Sequence, residues 1–473
     1  MAIGVHFVDE VEPPKLADES GWYVEHTALL YSTLKWAVLG ICSGVSVGLG
    51  TRAFLTALKW ATASVGHTFA FPAYYLLPLA MPICVYLIRT FAPTAKGHGT
   101  EAIIAAVHEN YGKVDWRVAP IKLAATVLTL AFGASVGKEG PCAQIGAAIS
   151  SLFADIMKLS NEDRRRLVIC GISGGFAAVF GTPVSGALFG IEVLYLGRIE
   201  YQVLFPCLIS GIAAHLVCGN VAPAPFINEP IGHLGQTAIA LLAIALGACC
   251  GILALSFIEM MRTFERYLKR FAKHPYAVAA CGGAALAAIY KLTGTSAAGL
   301  GLPTIDAALH GAIPALALAF ALKMLTTTIS LETGGSGGII TPLFYIGATF
   351  GAIFAHIFHL PVGVFAAFGF IAVPAAAANT PIAFSVMAMA ILPPGIGVYA
   401  ALCACTAYLL VGHRSVYASQ KLGFVKSAGL AIDLGGSVGE LSRRHVRVQK
   451  GSTTHRILNL SKRRRSLTSN RRG

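Results

Sequence analysis

The sequence predicts an all-α, polytopic membrane protein made of two homologous halves. Three observations carry that reading. The chain is 55% hydrophobic and only 12% charged, whereas soluble domains are charged at roughly a quarter of their positions. Long apolar runs recur along it, and a set of short motifs returns about 200 residues later in the same order. A mean hydropathy of +0.68 agrees. The 51 glycines and 22 prolines suit membrane helices that pack closely and break.

In chain order, residues 1–26 include Asp9, Glu10, Glu12, Asp18 and Glu19 without a basic start or cleavage site. They read as a cytoplasmic N-terminal segment rather than a secretory leader. The apolar runs 27–50, 236–258, 276–290, 313–331 and 363–392 supply segments near the roughly 20-residue membrane requirement. Basic clusters at 162–167 (EDRRRL) and 262–274 (RTFERYLKRFAKH) lie between apolar segments, on one membrane side or at the interface. The net charge of +14 is concentrated at the end: residues 441–473 carry 11 Lys or Arg and no acid, leaving +3 elsewhere. The stretch 426–473 reads as a basic cytoplasmic tail that follows the positive-inside rule or meets anionic headgroups of the lipid bilayer. It lacks the aromatic interleaving of a nucleic-acid binder. The 11 cysteines form no CxxC pair and the 14 histidines no HExxH, so neither a metal site nor any other cofactor is expected.

The repeat is specific. GHGTEAIIAAVH at 97–108 aligns without a gap to GLGLPTIDAALH at 299–310, an offset of 202. PCAQIGA at 141–147 aligns to PLFYIGA at 342–348, offset 201, and Thr182-Pro183 returns as Thr380-Pro381, offset 198. The halves span roughly 27–220 and 235–425. Duplication of this kind marks transport proteins, with the binding site at the repeat interface.

The repeated anchors are glycine-rich breaks that precede apolar helices: GHG, GKEGP and GGSGGIITP. Pro141 and Pro342 stand in what reads as a first helical turn. Such helix starts present free N–H groups and about half a positive charge, which makes an anion site. The need is large, because an ion moved into a low-dielectric medium costs on the order of 20 kcal/mol before compensation.

GKEGP, GGIITP and the tyrosine of HRSVYASQ, in that order, resemble the signature motifs of the CLC chloride channel and transporter family over about residues 30–425. The stretch GISGGFAAVFGTPVSGALFGIEVLYLG is most similar to prokaryotic members. The resemblance implies a homodimer with one anion path per subunit and two inverted halves of tilted, broken helices. It implies a multi-pass protein of the cell membrane with both termini cytoplasmic. Paired regulatory domains are not expected, because the chain ends about 50 residues after Tyr417.

By the same resemblance Glu139 is the gating residue, a carboxylate that fills the anion's place and leaves when protonated. Gly97, His98, Gly99, Lys138, Gly140, Ile339, Ile340 and Tyr417 form the anion site. His98 replaces the serine found in the best-known members, and Lys138 adds local positive potential. The alternative for His98 is a ring bonded to backbone carbonyls beside its glycines.

The resemblance divides on proton coupling. Val193, after Glu192, stands where many antiporters of the family carry a second, proton-passing glutamate. Ile339 stands where fluoride–proton antiporters have an acid, and Pro141 where they tend to have threonine. Passive chloride conduction is therefore the first expectation, with chloride–proton or fluoride–proton exchange as alternatives. Glu332 and Glu192 are the candidate proton-path acids, Glu192 with a structural alternative as a satisfier of backbone groups. An enzyme is not expected. Glu101 and His108, or His108 and Asp115, are seven residues apart, but no nucleophile or cofactor motif accompanies them.

Overall fold

Glycine, asparagine and Thr-Pro pairs set the helix ends in the computed structural model of the chain, which describes residues 21–69, 71–219, 235–313, 317–441, 447–454 and 456. Most of the predicted N-terminal segment and residues 457–473 of the basic tail lie outside these. The first half contains α1 (Trp22–Thr68), α2 (Leu77–Phe91), α3 (Thr100–Glu109), α4 (Val118–Ala131), α5 (Glu139–Ile156), α6 (Asn161–Phe180), α7 (Pro183–Glu192) and α8 (Leu204–Cys218). The second repeats the order with α9 (Gln236–Leu268), α10 (Pro275–Thr293), α11 (Leu302–Leu309), α12 (Ala319–Glu332), α13 (Ile340–Ile357), α14 (Val362–Ala378), α15 (Pro381–Ile391) and α16 (Ile396–Leu410). Among the described residues, six helical stretches are long and apolar enough to cross a membrane.

The apolar run 363–392, read from composition as one segment, is two helices. Asn379 ends α14 in the left-handed conformation and Pro381 opens α15. In the first half Gly181 and Pro183 do the same between α6 and α7. A left-handed residue closes one helix and proline starts the next, so hydropathy alone does not reveal the break. Similarly, only Ala319–Glu332 of the 313–331 run belongs to a helix among the described residues.

The two halves also pack alike: α1 lies on α8 as α9 lies on α16, and α5 on α6 as α13 on α14. Glycines permit the last two contacts. A Cβ on Gly146 would run into the Gly171 carbonyl, and one on Gly347 into the Gly369 carbonyl. Small residues allow this backbone approach where lipid supplies no hydrophobic drive between helices. Gly347→Ala is therefore expected to cost about 1–3 kcal/mol, seen as a lower thermal midpoint in detergent. Gly66→Ala, on α1 with nothing near its Cβ position, should leave the midpoint unchanged. Equal midpoints for both variants would refute the close crossing.

Candidate functional site

The site is built where loops of the two halves meet. Gly137 N donates to Gly338 O at 2.6 Å, and Gly338 N to Gly137 O at 2.6 Å. Hydroxyls of α4 and α12 exchange across this clasp. Ser336 N donates to Thr129 Oγ1 at 3.1 Å, and Ser135 N to Ser330 Oγ at 2.9 Å. Thr126 pairs with Ser336 through their hydroxyls at 3.0 Å, and Ser135 with Thr327 at 2.9 Å. Each half thus does to the other what the other does to it, and all six hydroxyl side chains are buried. The clasp sets the starts of α5 and α13 side by side.

Glu139 begins α5 and is 1% exposed. Its carboxylate lies on the first turn of α13. Thr341 N donates to Oε2 at 3.1 Å, and Thr341 Oγ1 donates to Oε1 at 2.6 Å. The carboxylate therefore occupies a position that the free N–H groups and positive end of α13 favour for an anion. Ile339 is the N-cap of α13 and Ile340 its first residue. Lys138 is the N-cap of α5 and nearly buried.

The His98 loop closes one side. Gly97 and Gly99 have φ of +78° and +87°, a region that glycine enters without the Cβ penalty, so the glycines on both sides of His98 are dictated by the turn. A Cβ on Gly140 would strike the His98 carbonyl, and one on Gly99 would lie 2.7 Å from Gly140 O. Beneath the loop, Lys122 is fully buried and donates to Gly97 O at 2.6 Å and Ala95 O at 3.0 Å. Lys323 repeats this in the second half, donating to Gly299 O at 2.8 Å and Ala297 O at 3.0 Å. Each lysine is a buried amine whose N–H groups are held by loop carbonyls. The one in the first half lies beneath the His98 loop, where the second half has Leu300.

His98 Nδ1 is buried with no hydrogen-bond partner, so the alternative of a ring bonded through this atom to its own loop carbonyls is not what the structure shows. A buried polar atom left open in this way asks for a ligand or water. The His98 ring lies 6.1 Å from that of Tyr417, centroid to centroid, and Tyr417 is 1% exposed. The Tyr417 loop is pinned by Ser415 Oγ, which accepts from Tyr417 N at 3.0 Å. Gln420, fully buried, donates through Nε2 to Val193 O and Ala378 O, both at 2.8 Å.

The two candidate proton-path acids differ. Both oxygens of Glu192 are engaged at the start of α15: Ile382 N donates to Oε1 at 3.1 Å and Ala383 N to Oε2 at 2.8 Å. It caps a helix of the opposite half, not its own. Glu332 is the half-buried last residue of α12, within electrostatic reach of Glu265, Lys96 and Lys269. His108 donates to or accepts nothing from Asp115: its Nε2 lies 2.9 Å from Leu194 O. Asp115 sits beyond the end of α3, with Oδ1 accepting from Arg117 N, so the seven-residue spacing of that pair does not place it on one helical face. Lys122, Lys323, Thr341 and the hydroxyl clasp were not singled out from the sequence. The signal was present, because Lys122 and Lys323, and TVLT at 126–129 and TTIS at 327–330, share the offset of 201.

Residues 79–412 match the family described as voltage gated chloride channel. A chloride/fluoride channel protein of Pseudomonas syringae pv. tomato is 35% identical over 412 residues, covering 85% of this chain and 90% of that one. The H(+)/Cl(-) exchange transporter ClcA of Vibrio cholerae is 29% identical over 317 residues, covering 63% and 67%. Among solved structures, a CLC-type fluoride/proton antiporter superposes with a TM-score of 0.77 at 25% identity, over 86% of this chain and 100% of that one. A slow cyanobacterial Cl-/H+ antiporter shares the fold, with a TM-score of 0.70 at 21% identity. With the clasped helix starts and the seated Glu139, these matches mean that the chain belongs to the voltage gated chloride channel family of membrane anion transport proteins.

Proposed function

We propose that the protein exchanges a small halide, chloride or fluoride, for protons across the cell membrane, with Glu139 as the gate. The seat of Glu139 on the first turn of α13 carries this reading. A carboxylate and a halide compete for the same N–H groups there, so protonation of Glu139 and entry of the anion are linked. The anion site is formed by Gly97, His98, Gly99, Lys138, Gly140, Ile339, Ile340 and Tyr417, with Lys122 adding charge from below. Glu332 is the proton-path acid with free capacity, whereas Glu192 is committed to capping α15. The names of the relatives, a chloride/fluoride channel protein and proton exchangers, support exchange over the passive conduction expected from Val193. Val193 remains the observation in favour of passive conduction. A homodimer and cytoplasmic termini, with the basic tail facing anionic lipid, complete the proposal.

The test is flux in liposomes containing the purified protein, with a halide gradient and the voltage set by a potassium ionophore, run once with chloride and once with fluoride. Exchange predicts uphill proton movement in fixed ratio to one of the halides, reduced in Glu332→Gln. Dissipation of the halide gradient without a proton signal would establish passive conduction instead. No movement of either halide above protein-free vesicles would refute transport.

A further inference from the structure

Glu101 is a carboxylate within a turn of His98 that the site described above does not use. It is the second residue of α3. Its Oε1 accepts from Ser419 N at 2.9 Å and from Ser419 Oγ at 2.6 Å, across 318 residues of sequence. Its Oε2 is buried and has no hydrogen-bond partner. A charged oxygen left so costs more than a neutral unpaired group, and an ionisable side chain kept at membrane depth calls for a functional reason.

The neighbours supply one. Ser415 and Ser419 flank Tyr417, and Arg262 Nη2 donates to Ser415 O at 3.2 Å. Arg262 Nη1 has no hydrogen bond and lies 3.5 Å from Glu259 Oε1, which also pairs with Arg414 at 2.9 Å. Thr100, Glu101 and Glu139 all bear on the Tyr417 phenol. Farther along α9, Glu265 and Lys269 form an exposed pair at 2.9 Å, and Glu265 is within electrostatic reach of His98. Both carboxylates are within electrostatic reach of this one phenol. Glu139 is seated on α13, whereas Glu101 keeps Oε2 without a hydrogen bond. His98, with its open Nδ1 and with Lys122 beneath its loop, stands beside the same phenol.

We propose that Glu101 is the proton-transfer residue that serves Glu139, taking protons from the exposed end of α9, which carries the Glu265–Lys269 pair. The position of Val193 cannot hold a proton and neither can that of Ile339, so Glu101 fills a role that would otherwise have no carboxyl group next to the gate. This rests on the exchange reading above. The transfer balances simply. An O–H bond at Glu101 Oε2 breaks as one forms on the Glu139 carboxylate, through the Tyr417 hydroxyl, His98 Nδ1 or water between them. Glu101 returns to its anionic form, and neutral Glu139 yields the α13 start to a halide. Glu332 then acts upstream, within electrostatic reach of Glu265 and Lys269.

The experiment is the same liposome assay on the full chain. Glu101→Gln keeps an amide oxygen to accept from Ser419 but cannot carry the proton. It should leave halide flux near the wild-type level and lower proton flux on the order of 100-fold. Glu101→Asp should restore part of the proton flux. Ser419→Ala loosens the clasp but leaves the carboxylate, and it should keep the wild-type proton-to-halide ratio. A wild-type ratio in Glu101→Gln overturns the proposal and leaves exchange standing. Uncoupling by Ser419→Ala as complete as that by Glu101→Gln overturns it too, because the role would then be structural. A wild-type protein that moves halide but no protons overturns the exchange reading and the assignment of Glu101 together.

Discussion

Glu139→Gln is expected to remove the pH dependence of halide flux and to abolish proton movement while halide still crosses. The carboxylate of Glu139 is held by Thr341 N and Thr341 Oγ1, and under the proposed function these donors are the ones for which a passing anion competes. A glutamine retains the shape and one acceptor oxygen, but it cannot become an anion by losing a proton. Charge-assisted hydrogen bonds contribute roughly 1.5–3 kcal/mol, so the neutral amide competes for the α13 start about 10- to 150-fold less strongly. The sign follows from the exchange of one anion for another: in the wild type, acidification neutralises Glu139 and frees the site, so flux rises as pH falls. In Glu139→Gln the site stays free at every pH, and the profile should be flat at the level the wild type reaches in acid. A profile that still rises with acid in Glu139→Gln would remove Glu139 from the gate.

The second large effect is expected on affinity. Tyr417→Ala and His98→Ala should each weaken halide binding measured by calorimetry in detergent. Under the proposed function each removes a donor to the bound halide, a loss of roughly 1.5–3 kcal/mol, or about 10- to 150-fold in the dissociation constant. The Tyr417 loop is held independently by Ser415, Ser419 and Gln420, and the His98 loop by Lys122, so both variants should stay folded. His98→Ser should recover most of the lost affinity, because a hydroxyl at the same loop position again offers a donor. Unchanged affinity in both alanine variants would place the anion path elsewhere.

Several features are legible in the sequence alone. The 202-residue offset between GHGTEAIIAAVH and GLGLPTIDAALH anticipated two halves with the same helix order, and that order is present from α1 to α16. The glycine breaks before Thr100, Glu139 and Ile340 were read as helix starts, and three helices begin at those residues. Both readings succeed because they depend on local rules: glycine for positive φ, proline in a first turn, and apolar composition for burial in lipid.

Other features were decided by tertiary structure. The run 363–392 hid a break because Asn379 and Pro381 are too few residues to lower its hydropathy. The sequence leaves Glu192 open between a proton-path acid and a satisfier of backbone groups, and its partners, Ile382 and Ala383, lie 190 and 191 residues away. The same separation governs the rest of the site. Glu139 meets Thr341 across 202 residues, Thr126 meets Ser336 across 210, and Glu101 meets Ser419 across 318. The sequence by itself determined membrane residence, the duplication and the positions where helices must start, because each follows from composition or from the backbone preferences of a few neighbouring residues. Only the tertiary structure decided which carboxylates are capped, which are seated as anions and which keep a free oxygen. Those outcomes depend on which donors the inverted packing of the two halves brings within hydrogen-bond distance, and no local pattern encodes that distance.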